Sequence, residues 1–180
     1  AAQLFTVCSL WRQSRTAAVC AGKRSETGNA LKTVLLVQAR DPRDRMIPHE
    51  FECIRFKLGA DRIQLVARNA FMQVAQPQWL DGVDGVVLGG SGDFSVNHPS
   101  SHRWVTPVRD LIDAALQRDV PGFGICFGHQ LLGRHFGGDV VTDPRHEEVG
   151  TVELHVTDAG RDDPLFAGFP REFAAHTGHS

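Results

Sequence analysis

The sequence predicts a doubly wound α/β sandwich, a mostly parallel sheet with helices on both faces, and three observations carry that expectation. Short apolar runs alternate with amphipathic segments from Thr33 onward, as parallel strands joined by crossover helices do. One run holds Val86, Val87 and Leu88 in succession, a pattern that suits a strand covered on both faces. Glycines follow directly on two of the runs, at Gly89 and around Cys126, and strand ends of doubly wound sheets are where ligands sit.

Taken in order, residues 33–38 (TVLLVQ) read as the first buried strand, followed by the polar loop DPRDR. Residues 48–58 carry Phe51, Ile54 and Leu58 at helical spacing, so one face of a helix is expected to be apolar. The next strands are expected at 62–67 and 84–88. Thr106 and Pro107 read as the N-cap and first position of a helix whose apolar stripe is Val108, Leu111, Ile112, Ala115 and Leu116. Residues 121–125 (PGFGI) form a short strand into Cys126, and 127–136 form a helix stopped by Gly137 and Gly138. Val140 and Val141, then 149–156, read as further strands, the second with Val152, Leu154 and Val156 on one buried face. A short helical turn is expected over 163–169 and a strand over 172–176.

Length and composition place this pattern in a soluble protein. The chain has 180 residues, 42% apolar and 22% charged, which suits one domain with one core. Its net charge of −2, with basic residues scattered rather than striped, excludes the electrostatic footprint of a nucleic-acid or anionic-membrane binder. No apolar run reaches the roughly 18 residues a membrane-spanning helix requires. Cys8, Cys20, Cys53 and Cys126 form no CxxC pair, so neither a metal site nor a disulfide framework is expected and a cytoplasmic setting fits best. Residues 1–32 are rich in Ser, Thr, Ala and Arg with Glu26 as the only acid. They read as a leader or extension, disordered for want of apolar periodicity.

The chemistry-bearing segment is Gly124-Ile125-Cys126-Phe127-Gly128-His129-Gln130, where a strand gives way to a helix. This is a nucleophile elbow with sulfur in place of oxygen: the sharp turn strains its central residue and flanking glycines let backbone approach closely. A helix N-terminus favours the thiolate form of a thiol placed there. Most lone cysteines are buried and inert, but the glycine spacing and the strand before it favour a reactive one. A second element, Leu88-Gly89-Gly90-Ser91-Gly92-Asp93, follows the 84–88 strand. Its backbone amides are free to meet an anion, and no Lys-Ser/Thr follows as a Walker loop demands.

With these segments in view, PGFGICFGHQLLGRHFGGDV and DGVVLGGSGDFSV resemble the nucleophile motif and the oxyanion strand of class I glutamine amidotransferases, nearest to the GMP-synthase-like domains. The resemblance spans residues 33–180 and implies a flavodoxin-like sandwich. It implies Cys126 as nucleophile, the amides of Gly90 and Phe127 as oxyanion donors, and Gly92 with Gln130 as contacts to glutamine. The implied substrate is glutamine, cleaved to glutamate and ammonia with no cofactor, and the implied partner is an ammonia-accepting synthetase domain or subunit.

The same resemblance implies a triad His and Glu two residues apart, and no His-Pro-Glu segment occurs before Ser180. The domain is therefore expected to be incomplete at its C-terminus and impaired in turnover. His49-Glu50 reads as lying in the wrong part of the fold, and His129 and His135 as packing residues of the elbow helix. Two other readings stand beside the amidotransferase: a γ-glutamyl hydrolase of the same fold, which would prefer a γ-glutamyl dipeptide to glutamine, and a binding module without turnover.

Overall fold

The computed structural model describes residues 31–180 except Asp93, Pro144, His146 and Ser180. Nearly all of the 1–32 extension thus lies outside the described residues.

Four strands, β1 (Lys32–Gln38), β2 (Ile63–Asn69), β3 (Gly85–Leu88) and β4 (Gly122–Gly124), form a parallel sheet in the order β2-β1-β3-β4. The chain runs outward from β1 on one side to β2 and on the other to β3. The carboxyl ends of β1 and β3 therefore flank the switch point at which doubly wound sheets hold ligands. Leu35, Leu36 and Val37 of β1 and Val86, Val87 and Leu88 of β3 are all buried, as strands covered on both faces require.

Among the described residues four α-helices accompany the strands: α1 (Met46–Leu58), α2 (His102–Gln117), α3 (Phe127–His135) and the single turn α4 (Asp158–Arg161). On one face Leu35, Val37, Val86 and Leu88 pack with Val108, Leu111, Ile112 and Ala115 of α2 and with Leu131 and Leu132 of α3 in one cluster. The opposite face is covered more thinly. Phe51 and Ile54 of α1 are only half-buried and Leu58 is exposed, so the apolar face expected of that helix is partly wet. Phe123 and Ile125 beside it are exposed as well.

Helix α2 corrects the expected start. It begins at His102, and Pro107 lies inside it instead of at its first position. The missing N–H of Pro107 forfeits one bond of the helical ladder, yet Trp104 and Val105 upstream are buried. Trp104 packs on Phe94 at 5.4 Å and on Phe127 at 5.3 Å between ring centroids. Burial of a large aromatic side chain contributes more than one helical bond, so packing extends the helix through the proline. The strand expected at Val140 and Val141 does not form: Val141 is exposed, and the Val140 carbonyl accepts a side-chain bond from Asn97 instead of a strand partner.

The last segments form a separate antiparallel pair, β5 (Glu148–His155) with β6 (Glu172–His179). Val152 and Leu154 are half-buried and Val156 is buried, while Thr151, Glu153 and His155 face solvent, the expected alternation. The helical turn expected at 163–169 contracts to Pro164–Phe166. The preceding turn α4, capped by Thr157 through the N–H of Gly160, was not legible from periodicity because it is one turn long. No described helix is long and apolar enough to cross a membrane.

An ion pair ties the start of the sheet together. Asp84 accepts from Lys32 Nζ at 2.6 Å and from the Thr33 N–H at 2.9 Å. The Lys32 bond, followed by the Thr33 amide, holds the Asp84 carboxyl below its ordinary range. A carboxyl lowered on folding contributes stability above its unfolded value, roughly pH 4, and the contribution is lost as pH falls through the folded value. Asp84→Asn should therefore lower the urea midpoint slightly at pH 7 and by less near pH 2. An equal deficit at both pH values would show that the charge is not what matters.

Candidate active site

The carboxyl ends of β1, β3 and β4 converge on one place, and each contributes a turn that carries polar or reactive groups. From β4 the chain passes through Cys126, at φ 49° and ψ −107°, into α3. It is one of two non-glycine described residues with positive φ, a conformation that costs about 1–3 kcal/mol and persists only where surrounding packing enforces it. The enforcing contacts come from the glycines on either side. A Cβ on Gly128 would stand 2.3 Å from the Leu88 carbonyl oxygen, and one on Gly124 would stand 2.6 Å from the Gly128 carbonyl carbon. The first turn of α3 thus lies directly on the end of β3, and the Gly128 N–H donates to the Gly89 carbonyl at 3.1 Å.

This packing presents Cys126 to solvent as a free thiol at the start of α3. Its carbonyl accepts from the Gln130 N–H at 3.0 Å. The Phe127 ring is buried and packed against Trp104, which pins the first residue of the helix, and the Phe127 N–H has no acceptor among the described residues. The Gln130 side chain is half-buried, and Gly92 stands in open space.

The loop after β3 is held differently from the expectation. The Gly90 N–H donates to Glu50 Oε1 at 2.8 Å, so of the two amides read as oxyanion donors only that of Phe127 is unoccupied. Glu50 is the one buried residue of α1. Its other oxygen accepts from Arg40 Nε at 2.9 Å and from Gln38 Nε2 at 3.0 Å. Arg40 is held in turn by Asp44 at 2.8 Å. The Glu50 bond, opposed by burial and supported by Asp44, keeps the Arg40 guanidinium above its ordinary range. The Met46 N–H, then Arg40, holds the Asp44 carboxyl below its own.

Comparison with known protein families places the chain that carries this turn and loop. The profile of "Glutamine amidotransferase class-I" matches residues 44–180. The chain belongs to this family. Within it, the glutamine-hydrolyzing GMP synthase subunit of Archaeoglobus fulgidus is 39% identical over 100 residues, covering 56% of this chain and 46% of that protein. Its counterpart in Methanocaldococcus jannaschii is 32% identical over 97 residues, covering 54% and 44%. The matched part of the amidotransferase domain thus spans less than half the length of these curated relatives. In fold the domain is similar to a glutamine amidotransferase from Thermotoga maritima, with a TM-score of 0.64 at 21% identity over 84% of this chain and 61% of that one.

Several histidines of the amidotransferase domain have other employments. His135 is bonded to Asp113 at 3.0 Å, which ties α3 to α2. His98 caps the Pro99–Ser101 turn through the Ser100 N–H, His176 meets Thr151 at 3.0 Å, and His155 pairs with Glu153 and Glu172. His49 lies against Cys53 on the exposed side of α1. His49-Glu50, set aside by sequence reasoning as misplaced, needs a correction for its second member, since Glu50 enters the site. The signal that could have found it is positional: the loop and helix that follow the first strand of a doubly wound sheet border its switch point.

Proposed function

We propose that this chain carries the glutamine-cleaving half of an amidotransferase reaction, with Cys126 as nucleophile. The observation that carries the reading is the strained backbone of Cys126, held out at the start of α3 by Gly124 and Gly128. The sulfur, as thiolate, attacks the side-chain amide carbon of glutamine, and the carbonyl oxygen takes the negative charge. The free Phe127 N–H is the donor for that oxyanion, and such donors lower acyl-transfer barriers by roughly 3–4 kcal/mol each. The C–N bond then breaks, the nitrogen leaves as ammonia after gaining a proton, and a γ-glutamyl thioester remains. Water cleaves the thioester to glutamate and restores the thiol. Gly92 and Gln130 border the space in which the glutamine would lie, and the ammonia would pass to a separate synthetase, as the relatives' names suggest for those proteins.

Protonation of the departing nitrogen and activation of water need a positioned acid/base, commonly contributing about 10² to 10⁴-fold in rate. The 180-residue chain contains no His-Pro-Glu segment, and His49, His98, His135, His155 and His176 have other partners, so it should perform the attack and be impaired in turnover. The test is an electrophilic glutamine analogue. Mass spectrometry is expected to find the label on Cys126 in preference to Cys8, Cys20 and Cys53, with ammonia release from glutamine near background. Label on another cysteine would overturn the assignment of the nucleophile. Rapid turnover abolished by Cys126→Ala would overturn the second half, and a preference for a γ-glutamyl dipeptide would favour the γ-glutamyl hydrolase.

A further inference from the structure

The buried carboxylate of Glu50 lies 40 residues before Gly90 in sequence and directly beside it in space. Four donors surround it: Gly90 N–H at 2.8 Å and Arg40 Nη2 at 3.3 Å on Oε1, Arg40 Nε at 2.9 Å and Gln38 Nε2 at 3.0 Å on Oε2. A buried carboxylate is tolerated only when paired and bonded in this way, and a carboxylate so bonded is fixed in place. Its near neighbour is Gly89, where a Cβ would stand 2.8 Å from Glu50 Oε1. The first glycine of the loop is therefore demanded by Glu50 itself. The second glycine stands between the carboxylate and the nucleophile: a Cβ on Gly90 would be 3.7 Å from Glu50 Oε1 and 3.8 Å from Cys126 Cβ.

We infer that Glu50 is a positioning residue of the glutamine-cleaving site, its carboxylate clamping the Gly89-Gly90 turn so that this backbone is held against Cys126. The inference rests on Cys126 being the nucleophile. In this structure the Gly90 N–H is directed at Glu50, and that bond anchors the loop. The Phe127 N–H carries no such bond among the described residues. Arg40 neutralises the clamp, and Asp44 fixes Arg40. The clamp acts on glutamine through the loop: a wall of backbone held in one position keeps the amide carbon within attack distance of sulfur, and misplacement by about 1 Å costs on the order of 10²-fold.

The test compares two reagents on the full chain: the electrophilic glutamine analogue, which must lie against the loop, and iodoacetamide, which need not. Glu50→Ala is expected to slow the saturating rate of Cys126 labelling by the analogue at least about tenfold, with iodoacetamide labelling within about twofold of the parent. Glu50→Gln keeps one acceptor for the Gly90 N–H and should restore the analogue rate to within about threefold of the parent while remaining below it. Hydrogen exchange at the Gly90 amide, followed by NMR, should quicken at least about tenfold in Glu50→Ala and leave Gly89, whose N–H is bonded to Val37, little changed. Equal or faster analogue labelling in Glu50→Ala would overturn the clamp, the faster result meaning that the carboxylate blocks the loop amide instead. Equal slowing of both reagents would reduce Glu50 to a general structural role. If Glu50→Ala does not fold, Glu50→Gln decides, and analogue labelling identical to the parent would sink the inference. Failure of the parent chain itself to be labelled by the analogue would count against the glutaminase reading alone, since Gly90 exchange still reports the clamp.

Discussion

Gly128→Ala is expected to destabilise the domain by about 3 kcal/mol or more, whereas Gly133→Ala in the same helix should stabilise it by roughly 0.5–1 kcal/mol. Helix propensity alone favours alanine over glycine at both sites by about 1 kcal/mol. The two positions differ in what a new methyl group meets. At Gly128 it would be 2.3 Å from the Leu88 carbonyl oxygen and 2.6 Å from Leu88 Cβ, both parts of β3 that cannot swing aside, while at Gly133 it meets nothing within 4 Å. Overpacking typically costs about 1–3 kcal/mol and more where neither side can yield. Here α3 would have to lift off the sheet, breaking the Gly128 N–H bond to the Gly89 carbonyl and moving Cys126. Urea unfolding of the two variants measures the difference. Equal stabilities would mean that the close approach of α3 to β3 does not exist in solution.

The second large effect concerns Cys126, which should be both indispensable for labelling and detrimental to stability. Cys126→Ala removes the sulfur and keeps the strain, because any side chain with a Cβ meets the same backbone conflict at φ 49° and ψ −107°. Cys126→Gly removes both. Relief of a strained conformation contributes about 1–3 kcal/mol, against roughly 0.5–1 kcal/mol for the greater unfolded-state freedom of glycine. Cys126→Gly is thus expected to be about 1 kcal/mol more stable than Cys126→Ala, with neither variant labelled by the glutamine analogue. A glycine variant less stable than the alanine variant would show that the turn is not strained, and with it the main support for a reactive cysteine would go. A residue that weakens the fold where it stands is retained for what its side chain does.

Much of this molecule is legible in its sequence. The strands of the parallel sheet, the strand–turn–helix around Cys126 and the glycine loop after β3 are local patterns, written in consecutive or closely spaced residues. A run such as Val86, Val87 and Leu88 can satisfy itself only as a strand covered on both faces. A glycine on either side of Cys126 is explained by backbone passing close by, which is what Gly124 and Gly128 show. The class I amidotransferase family followed from these two segments and agrees with the match over residues 44–180.

What only the tertiary structure decided depends on residues far apart in the chain. Helix α2 runs through Pro107 because Trp104 is buried against Phe94 and Phe127, and no local rule weighs an aromatic contact against a missing backbone bond. The Val140 and Val141 pair is apolar and β-branched, but without a neighbouring strand to accept it the segment stays irregular. Glu50 is the clearest instance. In the sequence it is an acid on a helix with a weak apolar stripe. In the fold, the parallel order β2-β1-β3 brings the helix after β1 against the loop after β3, and a carboxylate that would otherwise be solvated is closed in with Gln38, Arg40 and the Gly90 amide. Periodicity and spacing report what each segment requires of its surroundings. Which segments supply those surroundings is decided by chain topology and burial, because a buried charge takes its partners from whatever the fold places beside it.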